Sequence, residues 1–211
     1  MLLCFIGGGN YASHELERLD HRFMELVELK SMLIFPFATD PSKREGWYNT
    51  ISSNYAKYGI EQFTMIDEEM DTAELKSRIH ASNSIYFTGG RPERLITTLH
   101  EKHIMRTIQE YNGAIMGYSA GALALCAECV ITKDRDYPET IVMDGIGFVD
   151  FSVEVHYELD DMSRDNELIR LSECRTILAI PNGSGLLVGN ERLEYINPIY
   201  TFHQGRKQRL N

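Results

Sequence analysis

Up to residue 118, apolar runs of strand length alternate with helix-period patterns, and this alternation limits the chain to few architectures. Strands are expected at 2–6, 32–37, 60–66, 84–88 and 114–118. Between them, residues 13–29 carry Leu16, Leu19, Phe23, Leu26 and Val27 at helical spacing. One helix or two short ones are expected over 43–58, and helices over 71–80 and over 92–111 after Pro92. Strand–helix–strand crossovers are right-handed, so the pattern predicts a three-layer α/β fold: a mostly parallel central sheet with helices on both faces. After residue 128 the strands shorten, to 129–132, 140–143, 151–156, 175–180, 185–189 and 192–196, with one helix over 163–172. No linker, repeat or low-complexity stretch interrupts the chain, and residues 1–211 are expected to form one domain.

Ligands of such sheets lie beyond the carboxyl ends of the strands. The segments expected there are rich in glycine: Gly7-Gly8-Gly9-Asn10, Ala38-Thr39-Asp40-Pro41, Thr88-Gly89-Gly90-Arg91 and Gly117-Tyr118-Ser119-Ala120-Gly121. The last joins the apolar run Ala114-Ile115-Met116 to the helix-prone Ala122-Leu123-Ala124-Leu125, and so reads as a strand, a sharp turn and a helix. A serine in that turn is lifted out of the fold as a candidate nucleophile, and the small neighbours relieve the crowding. The same five residues also fit a turn that merely lets strand and helix pack closely. Gly7-Gly8-Gly9 lacks the spacing of a dinucleotide-binding loop and reads as a tight turn.

A serine hydroxyl needs a base. Of seven histidines, His14, His21, His80, His100 and His103 fall on helices and His203 near the end of the chain. His156 differs, because it closes the alternating stretch Phe151 to Val155 and can project from a strand end into the rim. It reads equally as a polar residue capping a strand. The group that orients the imidazole is expected at Asp136 in the loop Lys133 to Pro138, with Glu154 as its rival on the strand face of His156, and Asp134 third. The amide of Ala120 and that of Gly90 are the expected oxyanion donors, and Gly89 and Gly90 let the backbone approach a substrate.

Composition narrows the partners. A net charge of −10 over 211 residues argues against a nucleic-acid backbone, and the single basic cluster, Arg206-Lys207-Gln208-Arg209, reads as a solvated tail. The start, Met1 to Ile6, has no charged leader or cleavage site, and no apolar run approaches about 18 residues, so the expectation is a cytoplasmic protein without a membrane partner. The four cysteines are expected to be reduced; Cys126 and Cys129, on a helix behind the turn, lack a second cysteine pair or a nearby histidine to hold zinc. No metal or organic cofactor is expected, and a homodimer is left open.

Four segments together resemble the peptidase E and cyanophycinase family of serine peptidases: Met32 to Ala38, Tyr86 to Gly90, Met116 to Ala122, and Val149 to Phe151 leading to His156-Tyr157. They occur in family order. The resemblance implies a fold like the glutaminase domain of class I glutamine amidotransferases, of flavodoxin-like type. It implies Ser119 as nucleophile, His156 as base, Gly90 and Ala120 as oxyanion donors, and an acid in the loop that holds Asp136. Arg164 falls on the stretch where peptidase E carries the arginine that reads a substrate aspartate. The chain departs from the family where Arg91 replaces an asparagine of the dipeptidase and where Asn182, in Ile180-Pro181-Asn182-Gly183, replaces a frequent acid. The segment between His156 and Arg164 is also shorter than in enterobacterial peptidase E. The implied activity is hydrolysis of small peptides through an acyl-enzyme, either as a dipeptidase or as a short-peptide exopeptidase, with an aspartyl preference in view. The alternatives are a catalytically silent binding module, or an esterase or amidase using the same Ser-His pair.

Overall fold

The computed structural model describes residues 1–189 and 192–211. In chain order the first part comprises β1 (Leu2–Ile6), α1 (Glu17–Leu26), β2 (Ser31–Phe35), α2 (Arg44–Ala56), β3 (Gln62–Met65) and α3 (Thr72–Ala81). It continues through β4 (Ser84–Phe87), α4 (Pro92–Glu101), α5 (Met105–Gln109), β5 (Ala114–Tyr118) and α6 (Ala120–Leu125). The second part comprises β6 (Glu128–Ile131), β7 (Ile141–Asp144), β8 (Ser152–Val155), α7 (Met162–Leu171) and β9 (Ile177–Ile180), followed by β10 (Gly185–Gly189), β11 (Arg192–Ile196), β12 (Tyr200–His203) and β13 (Arg206–Arg209).

The main sheet has the order β11-β10-β1-β5-β4-β2-β3, and its five strands from β1 to β3 in that order run parallel. β10 and β11 close one edge in antiparallel fashion. Alternation along the central strands sends Leu3 and Phe5 into one apolar layer and Cys4 and Ile6 into the other, so both faces are covered, as the strand–helix alternation predicts. A four-stranded sheet, β13-β12-β9-β8, stands beside this core, and β8 and β9 pair in parallel with Val155 opposite Ile180.

Two expectations are corrected. The helix expected over 92–111 is broken: His103 adopts φ 52° and separates α4 from α5. Leu95, Ile96 and Leu99 follow helical spacing, but Ile104 and Ile108 do not continue their stripe, and the bend lets all five be buried. Arg206 to Arg209 is a strand and not a tail, although Arg206, Gln208 and Arg209 do face solvent. Gln204 and Gly205, both at positive φ, form the tight turn of a hairpin, and the Lys207 ammonium lies over the rings of Tyr157, Tyr200 and Phe202 while pairing with Asp165 at 2.6 Å.

Candidate active site

Ser119 sits between β5 and α6 with φ 50° and ψ −107°, a strained conformation for a residue bearing a Cβ. Its neighbours explain how the chain tolerates this. A Cβ on Gly117 would lie 2.6 Å from the Gly121 carbonyl carbon, so strand and helix touch backbone to backbone around the serine.

The end of β1 ties three remote segments together through main-chain hydrogen bonds. Ser119 N donates to Ile6 O at 2.9 Å, His156 N to Gly7 O at 2.7 Å, and Gly183 N to Gly8 O at 2.9 Å. The Gly7-Gly8-Gly9 segment continues out of β1 without closing the tight turn expected from the sequence, and it acts as the common anchor of the site. Gly8 has φ 134°, and a Cβ there would fall 2.2 Å from Asn182 Oδ1 and 2.3 Å from His156 Nδ1, so no other side chain fits without displacing that pair.

The Ser119 hydroxyl lies 2.8 Å from His156 Nε2, and His156 Nδ1 lies 2.7 Å from Asn182 Oδ1. An amide oxygen only accepts, so the Nδ1 proton points at Asn182 and Nε2 is left to accept from the serine. His156 itself is at φ 52° immediately after β8. Because β8 and β9 are parallel with Val155 level with Ile180, the residues leaving the two strands emerge at one edge, which brings Asn182 to the imidazole.

The partner of the imidazole is thus Asn182, where the sequence pointed to Asp136, Glu154 or Asp134. Asp136 lines the same cleft but makes no hydrogen bond to His156; its amide donates to Asp134 Oδ1 at 2.7 Å. Asp134 is occupied in turning that loop, accepting from Asp136 N and Tyr137 N. Glu154 lines the cleft with His156 but makes no hydrogen bond to the imidazole. It is buried, accepts from Thr132 Oγ1 at 3.0 Å and pairs with Arg164 Nε at 3.2 Å. Burial pushes its carboxyl up to about 7, and Arg164 opposes the rise. Asn182 stood out in the sequence as a departure from an acid, but its contact depends on a strand register that the sequence does not show.

The other predicted residues separate into two groups. Gly90 and Ala120 both line the cleft with Ser119. Ala120 opens α6, where the first amides have no partner within the helix, and among the described residues no backbone carbonyl accepts from Gly90 N. Gly89 is buried one step back, its carbonyl held by Thr39 Oγ1 at 2.6 Å. Arg91 points along α4, pairing with Glu93 at 3.6 Å and lying over the Tyr137 ring, and does not line the cleft. Arg164 does line it, at the start of α7.

The cleft has a volume of about 520 Å³. A larger cavity of about 700 Å³ lies at the amino ends of the strands, around Leu2, Asn112 and Ala114, and contains neither Ser119 nor His156. Cys126 ends α6, and Cys129 lies in β6 rather than on the expected helix. Both are buried and unpaired, and burial pushes both thiols up. Among the described residues no group of histidine, cysteine or carboxylate side chains is arranged to hold a metal, and no helix is long and apolar enough to cross a membrane.

The sequence model of Peptidase family S51 matches residues 2–196. The chain belongs to this family. It is a serine hydrolase. It is similar to Peptidase E of Nostoc sp., at 23% identity over 194 residues that cover 85% of this chain and 78% of the relative. Among solved structures it is similar to a peptidase from an acI-B1 actinobacterium, with a TM-score of 0.73 and 21% identity, covering 99% of this chain and 93% of that one. It is also similar to a candidate peptidase E from Listeria monocytogenes EGD-e, with a TM-score of 0.73 and 17% identity, covering 92% and 97%. The S51 peptidases thus supply the fold and the general chemistry, and the contacts around Ser119 supply the detail.

Proposed function

We propose that this S51 peptidase hydrolyses short peptides through an acyl-enzyme on Ser119, with His156 as base and Asn182 as the residue that orients it. The observation that carries the reading is the 2.8 Å contact between Ser119 Oγ and His156 Nε2, made by residues on two different sheets. In the first step Nε2 takes the hydroxyl proton as Oγ bonds to the scissile carbonyl carbon. The charge that develops on the carbonyl oxygen is met by the amides of Ala120 and Gly90. Collapse breaks the carbon–nitrogen bond, and His156 returns the proton to the leaving amine. Water then repeats the sequence against the ester, releasing the acid and restoring Ser119. Asn182 Oδ1 holds the Nδ1 proton throughout, which keeps the tautomer that lets Nε2 accept. The volume of the cleft suits a short peptide better than a folded protein chain.

Replacing Ser119 by alanine is expected to lower peptide turnover by about 10⁶-fold without unfolding the chain. Turnover that survives the replacement contradicts the mechanism. The dipeptidase or exopeptidase character is read from product analysis on a ladder of peptides two to six residues long, where activity is expected to fall with length.

A further inference from the structure

Charge in the cleft is one-sided. Asp134, Asp136, Glu154, Glu158 and Asp161 line it, and among the described residues Arg164 is its one lysine or arginine. That guanidinium is already engaged on every nitrogen: Nε pairs with Glu154 at 3.2 Å, Nη1 with Glu167 at 3.3 Å, and Nη2 donates to Lys133 O at 3.0 Å. Its side chain is only 18% exposed. An arginine committed in this way cannot also present the free fork that a substrate carboxylate needs.

The carboxylates divide differently. Glu154 is held by Arg164 and Thr132, Asp134 accepts two amides of its own loop, and Asp161 accepts Arg164 N at the start of α7. Asp136 and Glu158 are exposed, and among the described residues neither side chain makes a hydrogen bond or an ion pair. They approach the cleft from two directions, Asp136 from the loop between β6 and β7 and Glu158 from two residues beyond His156. Two unspent carboxylates line a cleft whose one guanidinium among the described residues is neutralised, a chemistry suited to a cationic nitrogen.

We propose that this cleft selects peptides whose acyl-donating residue carries a positive charge, and that it disfavours aspartyl peptides. The proposal rests on the acyl-enzyme reading of Ser119. That charge is a lysyl or arginyl side chain, met by Asp136 and Glu158, and Arg164 serves to keep Glu154 in place, not to read an acid.

The test compares kcat/KM for matched dipeptides with lysine, arginine, alanine or aspartate at the amino end, each with a free and an acetylated amino terminus. The lysyl and arginyl substrates are expected to exceed the alanyl one by about tenfold, and the aspartyl one by more, as one charge-assisted hydrogen bond gained or one like charge opposed would give. Loss of rate on acetylation regardless of side chain assigns the site to the α-ammonium and overturns the side-chain reading. Rates that survive acetylation only for lysine and arginine assign the side chain. In the double variant Asp136→Asn, Glu158→Gln the lysyl-to-aspartyl ratio is expected to fall towards one, largely through KM, and raised salt is expected to lower the same ratio in the unmodified enzyme. Labelling of Ser119 by an uncharged phosphonate confirms that each protein is folded and competent. Aspartyl peptides cleaved as well as lysyl ones, with labelling intact, overturn the substrate class and leave the hydrolase standing. Absence of labelling in the unmodified protein overturns both.

Discussion

The centre of the site and its rim are built by different means. Around Ser119, His156 and Asn182 the geometry is set by main chain, with Ile6, Gly7 and Gly8 each accepting a backbone hydrogen bond from or beside one of the three residues. Around the rim, Asp136 and Glu158 stand on exposed positions without partners among the described residues. A centre fixed by backbone contacts tolerates almost no substitution, because a displacement of about 1 Å can cost about 10²-fold in rate. A rim of unpaired side chains can change its charge without moving the centre.

The sharpest way to break the comparison is Gly8→Ala. Its Cβ has to displace the His156–Asn182 pair, so kcat is expected to fall by about 10²–10³-fold; alanine is also strained at φ 134°, so thermal unfolding is expected to come earlier while circular dichroism keeps the parent's shape. Turnover close to the parent shows that Gly8 does not fix the centre.

A smaller effect is expected at Asn182. Asn182→Asp keeps an acceptor on Nδ1 and adds a negative charge that favours the protonated imidazole formed in the transition state. Turnover at its plateau is expected to rise by about tenfold, and the acid limb of the pH–rate profile to move to higher pH. An unchanged profile removes Asn182 from the site. Asn182→Ala, which leaves Nδ1 without its acceptor, is expected to move turnover the opposite way.

The smallest effect on turnover lies behind the centre, in the second apolar layer. Asp20 is fully buried and accepts from Tyr55 Oη at 2.5 Å and Asn54 Nδ2 at 2.8 Å. Burial pushes its carboxyl up to about 6, above an unfolded value of about 3.9. The folded state therefore keeps this proton between those two values, and the stability it contributes is present below the lower one and lost as pH rises through about 6. Compared with Asp20→Asn, the parent is expected to lose at most about 3 kcal/mol between pH 4 and 6.5, read by urea unfolding at each pH, with turnover at neutral pH unaltered. A difference that grows in the other direction contradicts the burial account.

Much of this was legible in the sequence because it is local. The strand and helix signals of the first half follow from periodicities of a few residues, and they give the parallel sheet and the position of its rim. Ser119 is marked by small residues on either side, and His156 by its place at the end of an alternating strand. What was hidden depends on register. Asn182 reaches His156 only because β8 and β9 run parallel with Val155 beside Ile180, and nothing within the Pro181-Asn182-Gly183 segment states that pairing. Asp136 and Glu154 carry the right chemistry, and the structure turns one towards the open cleft and the other onto Arg164. The hairpin of β12 and β13 is obscured by charge: Arg206 and Arg209 do face solvent, and only Lys207 lies against three rings.

The account stands on the hydroxyl of Ser119 being activated by His156. A fluorophosphonate followed by peptide mass spectrometry tests this directly. One adduct is expected, on the peptide containing Ser119, and His156→Ala is expected to slow its formation by several orders of magnitude while leaving the fold intact. An adduct at another residue, or labelling that proceeds equally fast without the imidazole, contradicts the account.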